Sequence, residues 1–569
     1  MNNRAFYGLA LSAVLLAGCQ GSNEHEDVAD IVFVGDHIIT MDADNTGATG
    51  VAVRGDTIVA IGDRDGMMAM AGEGARVVEL GDRALVPGFI DSHGHAGFQA
   101  RIMDFVNLSS PPVGTAENID DVVALLDAHV SAKPPAEGEW VIGYGYDDSL
   151  LAENRHPERD DLDRVATDLP IYIMHVSGHL GAVNSAALGA VGIDAESVDP
   201  PGGVIRRRPG TTVPNGVLEE KAASGVMSQR LGAVTGERFE DRLREMVDLY
   251  AAYGITTIQD GYTSPFEIAA FRAAAARAPF RVDIAAYRGA ISISADEFDL
   301  FRHDNDYTDG YRVAGVKFSL DGSPQGRTAW LTQPYTEGPE GADLDYVAYP
   351  TVEPDEYKRT MAPLVNRGVP LIIHANGDAA IDLMIESVAD ALGDGPVPDH
   401  RSVIIHAQLM RADQVDLAAA LGIVPSFFSA HTFFWGDWHQ QSFGSARGEN
   451  ISPTRWAMDR DVPFTIHNDA PIVPPDMMRL MWATVNRQTR SGQVIGPEQR
   501  LTVEEALHAM TLAGAYQLFE EDTKGSITVG KRADLVILGE NPLAADPMTL
   551  KDIHIVETIA GGRTVFLRR

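Results

Sequence analysis

The sequence predicts an α/β fold: a (β/α)8 TIM barrel with a large cap insertion after strand 1 and a composite β-sandwich formed by both termini. Eight short apolar runs end in polar or charged residues and precede Ala-rich amphipathic stretches, which is the pattern of alternating strands and helices. These runs are Ala84–Asp91, Gly254–Asp260, Arg281–Tyr287, Gly315–Leu320, Val369–His374, Ser402–His406, Gly422–Ser426 and Val462–Asp469. Both ends of the chain instead carry alternating apolar segments separated by turn residues, which favour β-structure.

These patterns divide the chain into segments with different predicted roles. The first predicted barrel strand is followed by a long stretch before the second, and we expect that stretch to cover the top of the barrel. Segments such as Ile31–Val34 and Ala533–Leu538 are typical of the terminal sandwich. The predicted segments are a signal peptide at 1–18, a tether at 19–29, the first sandwich part at 30–83, the barrel at 84–99 and 251–515, the cap at 100–250 and the second sandwich part at 516–569.

The charge balance excludes some partners. The 569 residues include 81 acidic and 45 basic side chains, for a formal net charge of −36. Binding to nucleic acid requires a cationic face, so this excess argues against a nucleic-acid partner. It also disfavours electrostatic capture by anionic lipid surfaces. We therefore expect a small-molecule substrate, and the sequence leaves the oligomeric state open, a homodimer included.

The N-terminus predicts export. An apolar run from Ala5 to Leu16 follows Arg4 and is too short to span a bilayer, which is typical of a secretory signal peptide. It ends in Leu-Ala-Gly before Cys19, the one cysteine of the chain, and this ending resembles a bacterial lipobox. The alternative is a plain signal peptide with a coincidental cysteine. We expect a lipid anchor at Cys19 as the only membrane contact, and Gln20 favours the outer membrane, facing the periplasm, over the inner membrane.

Polar side chains at the ends of the predicted strands form a metal-binding pattern. His93 and His95 follow the first strand, and residues at i and i+2 of an extended chain point to the same side. His374 and His406 end neighbouring strands, and Asp469 ends the last strand, beside the first. A single histidine at a strand end more often has a structural role than a metal-binding one. Four histidines at the same face of one barrel do not arise independently, and together they favour a metal site. Imidazole and carboxylate ligands predict two divalent metal ions, with zinc expected.

Lys317 lies between apolar neighbours in the fourth predicted strand. A buried ammonium group needs a partner or a shifted pKa, so one alternative is a salt-bridged lysine at the barrel rim. The other alternative is a lysine carboxylated by carbon dioxide, whose carbamate bridges two metals, and the nearby histidines favour it. In the predicted centre His93, His95 and Asp469 bind one ion, His374 and His406 bind the other, and Lys317 bridges them.

The chain resembles the amidohydrolase superfamily, specifically its amidohydrolase-3 or YtcJ-like branch, which includes N-substituted formamide deformylases. The matching barrel motifs are His93-Gly94-His95, Gly315-Val316-Lys317, Asp321-Gly322-Ser323, His374 with Gly377-Asp378, His406-Ala407-Gln408 and Asn468-Asp469-Ala470-Pro471. The matching motifs of the insertion and the C-terminus are Ser177-Gly178-His179, Asn184–Leu188, Pro200–Gly203, Gly525-Ser526-Ile527, Gly530-Lys531 and Ala533-Asp534-Leu535. One departure is His467-Asn468 before Asp469, where many relatives have Gly-Ser.

The resemblance implies a metal-dependent amidohydrolase that cleaves a non-peptide C–N bond of an amide or N-formyl amine. A metal-bridging hydroxide would attack, with Asp469 as general base and acid. Alternatives are a lactonase or esterase on the same site, and a non-catalytic ligand-binding or regulatory lipoprotein.

Other polar and aromatic residues are candidate substrate contacts. They are His179 in the cap, Asp321, and the aromatic residues Phe433 and Trp435, each with structural packing as the alternative role. Glu219 and Glu220 are expected to begin a solvated helix.

Overall fold

The computed structural model describes residues 28–136, 138–230, 237–339, 341–395 and 397–569. The predicted signal peptide, Cys19 and Gln20 lie outside the described residues. Within these ranges every helix is too short or too polar to cross a bilayer. Lipid anchoring therefore stays a prediction.

The described strands fall into groups that follow one another along the chain. The N-terminal group is β1 (Ala29–Val34), β2 (Gly50–Arg54), β3 (Thr57–Gly62), β4 (Ala71–Glu79) and β5 (Ala84–Pro87), followed by the first barrel strand β6 (Phe89–Gly94). The inserted group is β7 (Val106–Asn107), β8 (Val141–Tyr146), β9 (Ile171–His175), β10 (Leu180–Val183), β11 (Gly203–Arg207) and β12 (Pro214–Glu220). The other barrel strands are β13 (Ile255–Thr263), β14 (Asp283–Gly289), β15 (Tyr311–Ser319), β16 (Leu371–Ala375), β17 (Val403–His406), β18 (Val424–Phe427) and β19 (Thr465–Ile466), and the C-terminal group is β20 (Leu535–Leu538), β21 (Ile555–Ala560) and β22 (Arg563–Leu567).

Helices connect the barrel strands and cover the barrel. In chain order the described α-helices are α1 (Arg64–Ala69), α2 (Ala96–Ile102), α3 (Ile119–Ala132), α4 (Arg159–Leu162), α5 (Ser185–Val191), α6 (Lys221–Arg230), α7 (Glu237–Ala252), α8 (Pro265–Arg277), α9 (Ala295–Phe298), α10 (Pro354–Asn366), α11 (Asp378–Leu392), α12 (Ala412–Leu421), α13 (His431–Phe443), α14 (Ser445–Gly448), α15 (Thr454–Met458), α16 (Met477–Asn486), α17 (Val503–Ala509) and α18 (Leu512–Gln517). Local sequence sets their ends. A capping box between Ser264 and Glu267 begins α8, and Gly422 ends α12 in the left-handed region.

The predicted barrel is confirmed. An eight-stranded sheet has the order β6, β13, β14, β15, β16, β17, β18, β19, with parallel pairing throughout. Backbone hydrogen bonds join its two ends: the Asp469 amide donates to His93 O at 3.0 Å, and the His95 amide donates to Ala470 O at 2.7 Å. The carboxyl ends of all eight strands therefore face one end of a nearly closed barrel.

The first predicted strand, Ala84–Asp91, proves to be two strands. Its first half, β5, pairs with β20 in a terminal sheet, and the barrel strand begins at Phe89. Gly88 separates them, and a Cβ atom there would lie 2.3 Å from Thr256 Oγ1. Both halves are apolar, so their composition does not reveal the change of sheet.

The terminal segments form the predicted composite sandwich. One sheet has the order β3-β2-β1-β4, and the other has the order β22-β21-β20-β5. Their inner faces share one apolar core, which includes Phe33, Val51, Leu85, Leu535 and Ile559. A separate six-stranded sheet, β11-β12-β10-β9-β8-β7, falls within the predicted cap.

A buried ion-pair network links the barrel to the segment that enters the second terminal sheet. Lys524 Nζ lies 2.6 Å from Asp283 Oδ2 on β14 and 2.8 Å from Glu520 Oε2. Its other pairs are Arg312 with Glu520, Arg532 with Asp283 and Arg532 with Asp534. The network therefore balances three cations against three carboxylates.

We expect Lys524→Met to destabilise the protein strongly. The substitution leaves one uncompensated negative charge in a buried network, which costs about 3 kcal/mol. Urea unfolding should show a correspondingly lower midpoint. The control is Lys358→Met, whose partners Glu386 and Asp390 are exposed, so that its effect should stay below about 1 kcal/mol. Equal midpoints for the two variants would contradict a structural role of this network.

Candidate metal centre

The first barrel strand delivers two imidazoles to one carboxylate. His93 ends β6, His95 precedes α2, and their Nε2 atoms lie 3.5 and 3.3 Å from Asp469 Oδ1. The Nδ1 atom of His93 donates to Gln259 Oε1 at 3.0 Å, and that of His95 donates to Gly261 O at 2.6 Å. Because these protons are on Nδ1, the Nε2 lone pairs of both rings face Asp469.

The fifth and sixth barrel strands bring a second pair of imidazoles together. His374 Nδ1 and His406 Nε2 are 3.1 Å apart. The opposite nitrogen of His374 lies 3.2 Å from Gly322 O and 3.0 Å from Asn376 Nδ2, and that of His406 lies 3.2 Å from His467 Nε2. Burial holds the pKa values of His374 and His406 well below the usual range, so both rings are neutral and able to bind a metal.

Lys317 projects from β15 into the middle of this group. Its side chain is 2 % exposed, and its Nζ lies 3.1 Å from His93 Nε2. Burial lowers the pKa of Lys317 to about 7, against the opposing influence of Asp469. A substantial fraction of this amine is therefore uncharged at neutral pH, and the amine contacts an imidazole in place of the carboxylate expected of a rim salt bridge.

The donor set fits divalent metal ions. Asp469 Oδ1 is buried and has no hydrogen-bond donor, and ligand atoms of His93, His406 and Asp469 all lie within 4.8 Å of one another. Ligands bound to a tetrahedral ion at about 2.1 Å are separated by about 3.4 Å, which matches the spacings found here. Lone pairs that converge without protons between them repel one another unless a cation lies among them.

Two of these residues adopt backbone conformations that are uncommon for residues other than glycine. His406 has φ 76° and Asp469 has φ 57°. Each such conformation costs about 1–3 kcal/mol and persists only where the surrounding structure maintains it. Both residues contribute side chains to the centre.

From the inserted sheet, His179 approaches the same centre. Its ring lies 5.1 Å from that of His374, and its Nδ1 is 2.8 Å from Glu220 Oε2. Although burial opposes it, the Glu220 carboxylate raises the pKa of His179. The expectation of a solvated Glu219-Glu220 pair was wrong: both side chains are buried at the end of β12. Two adjacent acidic residues in a sequence do not by themselves indicate that their side chains are buried.

Asp321 does not have the position expected of a substrate contact. Its side chain is fully buried and accepts hydrogen bonds from the backbone amides of Trp330, Asn376 and Gly377 at 3.0, 3.0 and 2.8 Å. It lies behind His374, with 3.4 Å between Asp321 Oδ1 and His374 Nε2. Asp321 therefore fixes the loops that support His374.

An apolar cavity of about 310 Å³ lies between the inserted sheet and the barrel. Its wall includes Trp435, Phe434, Tyr144, Ile472 and the cation Arg490. Pro471 and Ile472, which follow Asp469 in the chain, contribute to its wall, whereas the predicted metal ligands do not line it. Phe433 does not line this cavity and instead packs against Trp482, at a ring distance of 5.4 Å.

A second acidic group fixes the cavity wall. Trp435 Nε1 donates to Asp147 Oδ2 at 2.5 Å, and His175 Nε2 lies 3.1 Å from Asp148 Oδ1. Although burial opposes it, the hydrogen bonds and charges of the two aspartates raise the pKa of His175 to about 9. The Ser177 amide also donates to His175 Nδ1 at 3.2 Å, and His175 Nε2 faces the two carboxylates behind Trp435. His175 occupies a different environment from His179.

A nearly closed α/β barrel whose strand ends gather histidines around a carboxylate is typical of metal-dependent hydrolases. The chain belongs to the amidohydrolase family, whose family model matches residues 76–566. It is accordingly a hydrolase that acts on carbon–nitrogen bonds, of the amidohydrolase-3 type.

Similarity to individual proteins extends over most of the chain. It is 28% identical over 549 residues to the N-substituted formamide deformylase of Arthrobacter pascens, covering 94% of this chain and 97% of that protein. It is 26% identical over 510 residues to the putative amidohydrolase YtcJ of Bacillus subtilis (strain 168), covering 86% and 90%. An uncharacterised metal-dependent hydrolase from Pyrococcus horikoshii OT3 has the same fold, with a TM-score of 0.70, 21% identity and coverage of 91% and 99%.

We expect the metal-free protein to lose stability on acidification from pH 7 to pH 5. Several buried histidines have pKa values far below 6.5 in the folded state, so below that pH the unfolded chain binds protons that the folded chain does not. They are His93, His156, His374, His406, His431, His439 and His467. Fewer carboxyl groups act in the opposite sense, namely those whose pKa values burial raises: Asp91, Asp260, Asp321, Asp476 and Asp534. His175 and His179, with raised pKa values, also act in that sense, and the lowered pKa values of His303, His400 and His508 offset them.

Urea unfolding of chelator-treated protein at pH 7 and pH 5 measures this effect, and each histidine contributes up to about 1.4 kcal/mol per pH unit. The double variant His431→Leu, His439→Leu removes two of these histidines away from the metal centre, and its stability should depend less on pH. Equal or greater stability of the unmodified protein at pH 5 would contradict the assignment of neutral rings.

Proposed function

We propose that the protein hydrolyses a non-peptide C–N bond in an amide or N-formyl amine, with Asp469 as general base and acid. The observation that carries the proposal is the buried, unpaired Oδ1 atom of Asp469 between the Nε2 atoms of His93 and His95. With two divalent ions bound, zinc being expected, the centre would supply an acidified water and polarise the substrate carbonyl.

Asp469 is suited to moving a proton. Its Oδ1 atom faces His93 and His95, whereas its Oδ2 atom is 4.0 Å from His406 Nδ1, beyond hydrogen-bonding distance. Oδ2 is therefore available to accept a proton from the attacking water and return it to the departing nitrogen. The water oxygen joins the carbonyl carbon, the C–N bond breaks, and an acid and an amine leave.

Lys317 is proposed to react with carbon dioxide and bridge the two ions. The neutral amine attacks carbon dioxide, forms a carbamate and releases one proton. Burial supports this step because it lowers the pKa of Lys317 to about 7. The resulting carbamate would give the buried imidazoles an anionic neighbour that could serve as a ligand for both ions when they are bound.

His179 is proposed to bind the substrate oxygen. Glu220 accepts the Nδ1 proton of His179, and the raised pKa of His179 favours a second proton on Nε2. A donor beside His374 could stabilise negative charge that develops on the carbonyl oxygen. The neighbouring cavity, with Trp435 in its wall, suits an apolar substituent on the nitrogen.

We also propose export and lipid attachment at Cys19, with the protein facing the periplasm from the outer membrane. The support is the apolar run from Ala5 to Leu16 and the lipobox-like ending before Cys19. A shift in mass and partition into detergent, both abolished by Cys19→Ala, would test it.

A hydrolysis screen with metal-loaded protein tests the activity. We expect turnover of N-formyl amines with apolar substituents, about two metal equivalents per chain, and loss of activity with a chelator. N-acyl amino acids, cyclic amides, esters and lactones form the comparison set. Turnover restricted to esters or lactones, or metal-free protein that binds a ligand unchanged, would overturn the proposal.

Lys317→Ala should lower activity by more than about 100-fold, because it removes the bridging ligand. Short carboxylic acids such as acetate or propionate should restore part of the activity by occupying the vacated position. Lys358→Ala is the matched control on the exposed surface and should show neither effect. Full activity of Lys317→Ala would disprove the bridging role.

A further inference from the structure

His467 is a buried histidine with no role in the proposed reaction. It is completely buried beneath the metal centre. Its ring lies 5.2 Å from that of His406 and 5.3 Å from that of His93. A fully enclosed imidazole must find hydrogen-bond partners, so those partners indicate its role.

The four predicted metal-binding histidines differ in what orients them. Three have an oxygen atom within hydrogen-bonding distance of the ring nitrogen that faces away from the centre: Gln259 Oε1 at His93, Gly261 O at His95 and Gly322 O at His374, where Asn376 Nδ2 also lies at 3.0 Å. His406 instead has His467 Nε2 at 3.2 Å from its Nδ1, while Asp469 Oδ2 at 4.0 Å is too distant. His406 can bind through Nε2 only if His467 accepts its Nδ1 proton.

A chain of hydrogen bonds fixes the far end of this contact. Gln517 Nε2 donates to Ser92 O at 2.8 Å, which leaves Gln517 Oε1 to accept from Thr465 Oγ1 at 2.7 Å. Thr465 Oγ1 is also 2.7 Å from Ser426 Oγ. Because Thr465 has a single hydroxyl proton, which goes to Gln517, Ser426 must be the donor to Thr465.

The same assignment of hydrogen-bond donors and acceptors determines the tautomer of His467. Ser426 Oγ lies 2.9 Å from His467 Nδ1, and its proton is already given to Thr465. His467 must therefore carry its proton on Nδ1 and donate it to Ser426. Its Nε2 atom is left unprotonated and accepts from His406 Nδ1. Every donor in the chain then has one acceptor, from His406 to the carbonyl of Ser92.

We propose that His467 is a positioning residue for the metal centre: it holds His406 in the tautomer whose Nε2 lone pair faces His374. The proposal rests on the metal centre described under the proposed function. In the other tautomer the Nε2 proton of His406 would point at His374 Nδ1 and block a shared ion. The hydrogen-bonded series thus lets the buried imidazole of His467, which follows β19, fix the tautomer of His406 at the end of β17.

Metal affinity tests the proposal through a graded set of variants. Losing an outer hydrogen bond to a ligating histidine typically lowers metal affinity by about 10–100-fold. We expect such a loss for one of the two ions in His467→Leu, measured by chelator competition with Co²⁺ and Zn²⁺. His467→Gln offers an acceptor oxygen near the position of Nε2 and should stay within about threefold of the parent protein. Ser426→Ala, which removes the acceptor for His467 Nδ1, should lie between them.

His400→Leu is the matched control. His400 is also a buried barrel histidine, bonded to Ser402 Oγ at 2.9 Å and Leu421 O at 2.8 Å. The His400→Leu substitution should lower the thermal stability of the metal-free protein without changing its affinity for either metal ion. The ¹⁵N histidine spectrum of the zinc-loaded parent protein should show His406 and His467 protonated on Nδ1, which provides a second readout if His467→Leu does not fold.

The outcomes separate the two proposals. Unchanged binding of both ions by His467→Leu, or equal losses in His467→Leu and His467→Gln, would overturn the positioning role. A parent protein that binds two ions but hydrolyses none of the amides would leave the positioning role intact and defeat the proposed function. A parent protein that binds no metal would defeat both.

Discussion

The contact on which the rest of the structure depends is the closure of the barrel between its last and first strands. The amide of Asp469 donates to His93 O, and the amide of His95 donates to Ala470 O. These two hydrogen bonds join the backbones of His93, His95 and Asp469, whose side chains form one half of the metal centre. The contact that closes the barrel therefore also assembles this half of the centre. Asp469 lies beside the Nε2 atoms of His93 and His95 because the end of the last strand contacts the end of the first.

The centre concentrates polar groups that are costly to bury, and the surrounding structure supports them. His406 and Asp469 both adopt left-handed backbone conformations, which cost free energy, and the packed barrel maintains them. Neutral imidazoles offer lone pairs toward one another, and Asp469 Oδ1 has no donor. Such an arrangement would destabilise an ordinary protein interior, but it suits the binding of cations. Functional sites are where proteins depart from the usual rule that buried polar groups are paired.

Patterns at strand ends allowed the barrel and most of the centre to be predicted, because strand ends in a barrel meet at one face. The sequence could not show what depends on three-dimensional neighbours. Glu220 was expected in solvent, but it is buried as the partner of His179. The apolar run beginning at Ala84 conceals a change of sheet at Gly88. Asp321 lies in a motif close to the centre but faces backbone amides.

The insertion contributes electrostatics as well as cover. Asp147 accepts the indole proton of Trp435, and such a buried carboxylate would be costly without a counter-charge. His175 faces Asp147 and Asp148 through its Nε2 atom, and the two aspartates raise its pKa to about 9. The position of Trp435 in the cavity wall thus depends on polar groups of the insertion. Sequence changes in the insertion can therefore reshape the cavity without altering any residue of the barrel.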